Sequence, residues 1–83
     1  MEKQLIYFLE DLIYLLKEDA FDAKKEFLKN RNKKNADYYE GKVFGYWEAL
    51  STIKHQLIVF QIDPKKVKFD FDHDKEFIIS KKE

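Results

Sequence analysis

Eighty-three residues allow one domain, and sixteen basic against sixteen acidic side chains leave a formal net charge of zero, so no overall field draws the chain to DNA or to an anionic membrane. The absence of cysteine excludes a disulfide framework, a thiolate nucleophile and a cysteine metal site. The longest apolar run, Leu5 to Leu9, is far short of the ~20 residues of a membrane span, and Met1-Glu2-Lys3 leads into no secretory pattern, so the expectation is a soluble, cytoplasmic protein with no membrane partner.

Residues 2–29 read as a first helix. Leu5, Leu9, Leu12, Leu16, Ala20, Ala23 and Phe27 recur at steps of three and four and form its main stripe. Phe8 and Leu15 widen the stripe on one side, Ile6 and Ile13 on the other. The first half is therefore apolar over more than half its circumference, more than one partner helix covers.

Residues 30–36 break the pattern. Asn-Arg-Asn-Lys-Lys-Asn contains no apolar residue and three turn formers, and reads as the tip of a helical hairpin. Lys24, Lys25, Lys29, Arg31, Lys33 and Lys34 against Glu26 put a local charge of +5 there. The simpler reading is a solvated tip whose cations complement the first helix's dipole. The other is an anion contact made by Lys29, Arg31, Lys33 and Lys34.

A second helix is expected over 37–61. Asn35 is one candidate cap, and Asp37 with Glu40 closing a capping box is the stronger one. Tyr39, Val43, Tyr46, Leu50, Ile53, Leu57 and Phe60 line one face, while Phe44, Trp47 and Ile58 lie on its flank. Gly41 and Gly45, continued by Ala49, fall on the other side. An interior helix glycine costs roughly 1 kcal/mol against alanine, so the pair calls for a reason. Close packing within the chain, a dimer or partner interface, and tolerated surface glycines all remain open.

Asp63-Pro64 ends the second helix and suits the cap and first position of a new turn over 64–67. Beyond it Val67, Phe69 and Phe71 alternate with Lys68, Asp70 and Asp72, and Phe77, Ile78 and Ile79 form a second apolar group. Period two favours extended chain. A marginal β-hairpin and a short helix stay open over 67–79; the preferred arrangement over 63–83 is a turn followed by an extended tail that folds back over the hairpin's uncovered flanks, with Lys81, Lys82 and Glu83 frayed.

Candidate chemistry is sparse. Asp70, Asp72, His73, Asp74 and Glu76 cluster, but a calcium loop needs glycine and glutamate where Lys75 and Lys81 stand. His55 is the only other histidine, which leaves a transition metal a poor cage. Ser51 and His55 lie four apart on one helix without an orienting acid or oxyanion hole, and no glycine-rich loop follows a strand. No catalytic, cofactor-binding or metal residue is assigned, no small-molecule substrate is expected, and the chain reads as no enzyme.

The run Tyr39-Glu40-Gly41-Lys42-Val43-Phe44-Gly45-Tyr46-Trp47-Glu48-Ala49-Leu50-Ser51-Thr52-Ile53-Lys54, followed by Phe60-Gln61-Ile62-Asp63, resembles in its general pattern small uncharacterised helical proteins of low-GC Gram-positive bacteria and of their phages and mobile elements. The resemblance implies a small cytoplasmic two-helix protein without assigned activity and carries over no functional residue.

The fold expected is all-α: an antiparallel two-helix hairpin with an extended C-terminal tail, pairing into a four-helix bundle if the flanks are buried by a second copy. The function expected is that of a small protein-interaction or regulatory protein whose partner is itself or another protein. Its candidate interface residues are Phe8, Leu15, Gly41, Phe44, Gly45, Trp47, Ala49 and Ile58. The alternative is a nucleic-acid-binding accessory protein using the lysine-rich tip.

Overall fold

In the computed structural model, which describes residues 2–78, α1 (Lys3–Lys29) and α2 (Ala36–Val59) pack as a long hairpin. A 3₁₀ turn (Pro64–Val67) and the short α3 (His73–Phe77) follow. The expectations for Ile79 and for Lys81, Lys82 and Glu83 lie outside the described residues.

The hairpin tip is tied by its own backbone. Asn30 N–H donates to the carbonyls of Glu26 and Phe27, Lys33 N–H donates to Asn30, and Ala36 N–H donates to Lys33. The Asp37 to Glu40 capping box is not used. Asn35 takes the cap position without a side-chain hydrogen bond, and its carbonyl accepts from Tyr38 and Tyr39 N–H. Asp37 lies inside the first turn, where a carboxylate is favourable with the helix dipole.

The core runs along a line rotated from the expected stripe of α1. Ile13, Ala20, Ala23 and Phe27 are buried, with Ile6, Leu9 and Leu16 packed at the edge, whereas Leu5 is 48 % exposed. From α2 come Val43, Leu50 and Leu57, while Phe60 projects into solvent. Ala20 is fully buried, and a small side chain there brings the two helices close.

Helix α2 stops in a Schellman arrangement. Ile62 N–H donates to the Leu57 carbonyl at 2.8 Å and Gln61 N–H to Ile58 at 2.9 Å, with Gln61 in the left-handed region at φ 59°. Asp63 then caps the 3₁₀ turn, its Oδ1 accepting from Lys65 N–H. The same device repeats at Lys68 (φ 61°), with Phe69 N–H donating to the Pro64 carbonyl.

These two left-handed residues turn the chain back along the hairpin. The tail fills the furrow between α1 and α2 on one side, running from the C-terminal end of α2 toward the tip. It is not extended throughout, as the alternation suggested. Asp72 Oδ1 accepts from the N–H of Asp74 and Lys75 at 3.1 Å each, which caps α3 and places His73 and Phe77 on one buried helical face. The inward positions of the alternation hold nonetheless: Val67, Phe69 and His73 are buried and Phe71 half-buried, while Lys68, Asp70 and Asp72 face water.

Contacts to α1 and α2 follow in register. Lys68 pairs with Glu10 at 3.6 Å, Lys17 lies over the Phe71 ring, Phe21 meets Phe77 edge-on at 4.9 Å, and Lys24 approaches Glu76 at 3.9 Å. On α2, Lys54 lies over Phe69, Ser51 meets His73, and Trp47 meets Asp74. The exposed ion pairs add little stability, about 0–1 kcal/mol each; the buried rings supply most of the tail's hold.

Candidate functional site

Two surfaces outside the core carry chemistry: a polar latch under the tail and an apolar groove beside it. In the latch, Ser51 Oγ and His73 Nε2 are 2.7 Å apart, and Trp47 Nε1–H donates to Asp74 Oδ1 at 2.7 Å. The Trp47 and His73 rings stack, and Phe69 meets His73 edge-on. His73 is buried, and its Nδ1 has no hydrogen-bond partner among the described residues. Asp74 Oδ1 stands 3.5 Å from Nε2, the nitrogen that already faces Ser51. In a serine triad the acid sits on the opposite ring nitrogen; here both contacts gather at Nε2, and they fasten the tail to α2.

From the sequence, Ser51 stands four residues from His55 without a supporting acid, and His73 belongs to a cluster with Asp70, Asp72, Asp74 and Glu76. His55 is exposed, and the serine's partner comes from the tail twenty-two residues away. The legible signal was the alternation that puts residue 73 on the inward side with Val67 and Phe69. Among the described residues, no group of three histidine, cysteine or acidic side chains is placed to hold a metal ion.

The groove has a volume of about 580 Å³ and opens between the start of α2 and α3. Phe44 and Trp47, with ring centroids 5.2 Å apart, form one wall, and Phe77 and Ile78 form the other. Asp37 and Glu40 stand on the rim, and among the described residues no cation lines it. At Gly41, on its edge, an added Cβ would meet nothing within 4 Å.

The candidate interface residues do not form one surface. Gly41, Phe44 and Trp47 line the groove beside the tail, where Trp47 is half-buried by its contacts with His73 and Asp74. Ile58 is exposed near the C-terminal end of α2. Gly45 and Ala49 turn to the other side of the hairpin, where they share a shallow depression with Leu16, Lys42 and Tyr46. On that side α1 presents Leu5, Phe8, Leu12 and Leu15 at steps of three and four; Phe8 is 61 % and Leu15 51 % exposed. The tip residues Lys29, Arg31, Lys33 and Lys34 are exposed together.

Close intramolecular packing does not account for the glycines, because a Cβ at Gly45 also meets nothing within 4 Å. Gly45→Ala should therefore raise the stability of the hairpin by about 0.5–1 kcal/mol through helix propensity. Denaturant unfolding at low protein concentration checks this, and a loss of stability would restore the packing explanation.

No helix among the described residues is long and apolar enough to cross a membrane. Comparison with protein-family models, with curated proteins and with solved structures finds no match to this chain.

Proposed function

We propose that this chain is a non-enzymatic interaction or regulatory protein that pairs with a second copy of itself through the tail-free side of the hairpin, giving an antiparallel four-helix bundle. The observation that carries the reading is the one-sidedness of the cover. The tail packs rings and aliphatic groups along one furrow, and the opposite side leaves Leu5, Phe8 and Leu15 exposed around the half-buried Leu12, with no covering element among the described residues.

The amount of surface supports it. The chain exposes 6371 Å², whereas mass scaling gives a compact monomer of 10.1 kDa about 5,300 Å². The molecule is elongated, measuring 47 × 20 × 15 Å, and a rod exposes more surface than a compact body of the same mass. Side-by-side pairing of two such rods removes the most surface for the least loss of freedom, and grouped exposed apolar residues are the usual mark of such a contact.

The lack of cysteine makes a clean test available. A two-fold interface brings equivalent residues near its axis together. Leu12→Cys, on the tail-free side, should form disulfide-linked dimers under mild oxidation, and Lys65→Cys, on the tail side, should not. Equal cross-linking at both positions, or none at residue 12, would remove this face from consideration.

A further inference from the structure

The groove between α2 and α3 lies beside the tail, away from the face proposed for self-association, and its chemistry differs. We infer that it is a docking site for a short segment of a partner protein in which a bulky apolar side chain is flanked by one or two lysines or arginines. The volume of about 580 Å³ is that of a side-chain or small-ligand pocket rather than of a packing defect. Phe44, Trp47 and Phe77 make its lining aromatic, which suits an aliphatic or aromatic occupant.

Charge selects among such occupants. Asp37 and Glu40 hold the rim, and among the described residues no lysine or arginine lines the groove. Two carboxylates beside an aromatic wall attract a cation and repel phosphate or carboxylate. The basic tip begins three residues before Asp37, at Lys34. A densely charged cation is therefore opposed within a Debye length of about 8–10 Å, and the fit is to one or two positive charges placed over the rim.

The site is also held ready. Trp47 is fixed by its hydrogen bond to Asp74 and by stacking on His73, so its indole need not be ordered on binding. Gly41 leaves the helix backbone bare at the groove's edge, with no neighbour to fill the space that a side chain would take. The latch that fastens the tail thus also shapes the groove.

Trp47 is the only tryptophan, and its fluorescence reports on the groove directly. The probe is a short acetylated and amidated peptide of alternating leucine and lysine, titrated against the full chain beside leucine–glutamate and serine–lysine counterparts. Saturable binding with a blue shift of Trp47 emission is expected for the leucine–lysine peptide alone. The paired change Asp37→Asn and Glu40→Gln should weaken it about tenfold, and Gly41→Leu, whose Cβ has open space and whose branched end enters the groove, should abolish it while circular dichroism stays unchanged. Equal binding of the serine–lysine or leucine–glutamate peptide would overturn the inference, as would binding that survives both variants. A change in sedimentation mass caused by the rim variants would assign the groove to a second copy and overturn it as well.

Discussion

Phe77→Ala should cost the fold about 3–5 kcal/mol, the usual range for emptying a buried phenylalanine site. Phe77 is almost fully buried, meets Phe21 edge-on and joins α3 to both long helices. The whole stability expected for a chain of this length is about 4–12 kcal/mol, so one side chain of α3 holds a large share of it. The melting temperature should fall by about 12 °C or more, and Trp47 emission should shift to the red as the tail leaves. Phe77→Leu should retain most of the stability. A melt of Phe77→Ala within a few degrees of the unaltered chain would mean that the tail is not part of the core.

The second large effect concerns association. Placing glutamate at both Phe8 and Leu15 puts two charges on the exposed side of α1 without touching the buried line through Ile13, Ala20 and Phe27. A carboxylate forced into an apolar contact without a partner costs several kcal/mol, and a two-fold interface would meet each change twice. The double variant should be monomeric at concentrations where the unaltered chain is paired, with its helix content and its monomer stability retained. Pairing that persists in the double variant would move the contact elsewhere.

The helices and the hinge were legible because α1 and α2 are long enough for the three-and-four spacing to repeat many times, and because residues 30–35 contain nothing apolar. The phase of α1 was not. With Leu5, Ile6, Phe8, Leu9, Leu12, Ile13, Leu15 and Leu16 spread over more than half a turn, several neighbouring lines qualify as the core. The choice of Ile13 over Leu5 and Leu12 comes from the third element, since the tail and α2 together approach α1 from the side of Glu10, Ile13, Lys17 and Phe21.

Helix α3 stood only as an alternative to the extended tail, for a related reason. Five residues are too few to show a period, and the alternation from Val67 to Phe71 argued for extended chain into Asp72. The local signal was Asp72 itself, a good cap followed by Asp74 and Glu76 in the first turn. The alternation places His73 on the inward side, but its partners on α2 could not be read locally. That pairing depends on Lys68 and Gln61 taking left-handed backbone without being glycine, which is what swings the tail back onto Ser51 and Trp47. The groove was invisible for the same reason, because its two walls are brought together only when the tail docks.

The glycines illustrate the opposite error. Gly41 and Gly45 stand four apart and suggested a close helix approach, yet the space beside each is open. Among the described residues no contact offsets their cost. Gly45 faces the side proposed for pairing and Gly41 the side proposed for peptide docking.

Sedimentation equilibrium of the unaltered chain across micromolar concentrations is the most direct measurement of the proposed pairing. A reversible species of about twice the 10.1 kDa chain mass, independent of moderate salt as an apolar contact requires, is the expected result. A single species at the chain mass over the whole range would contradict self-association and leave the Leu5, Phe8, Leu12 and Leu15 face to a different protein.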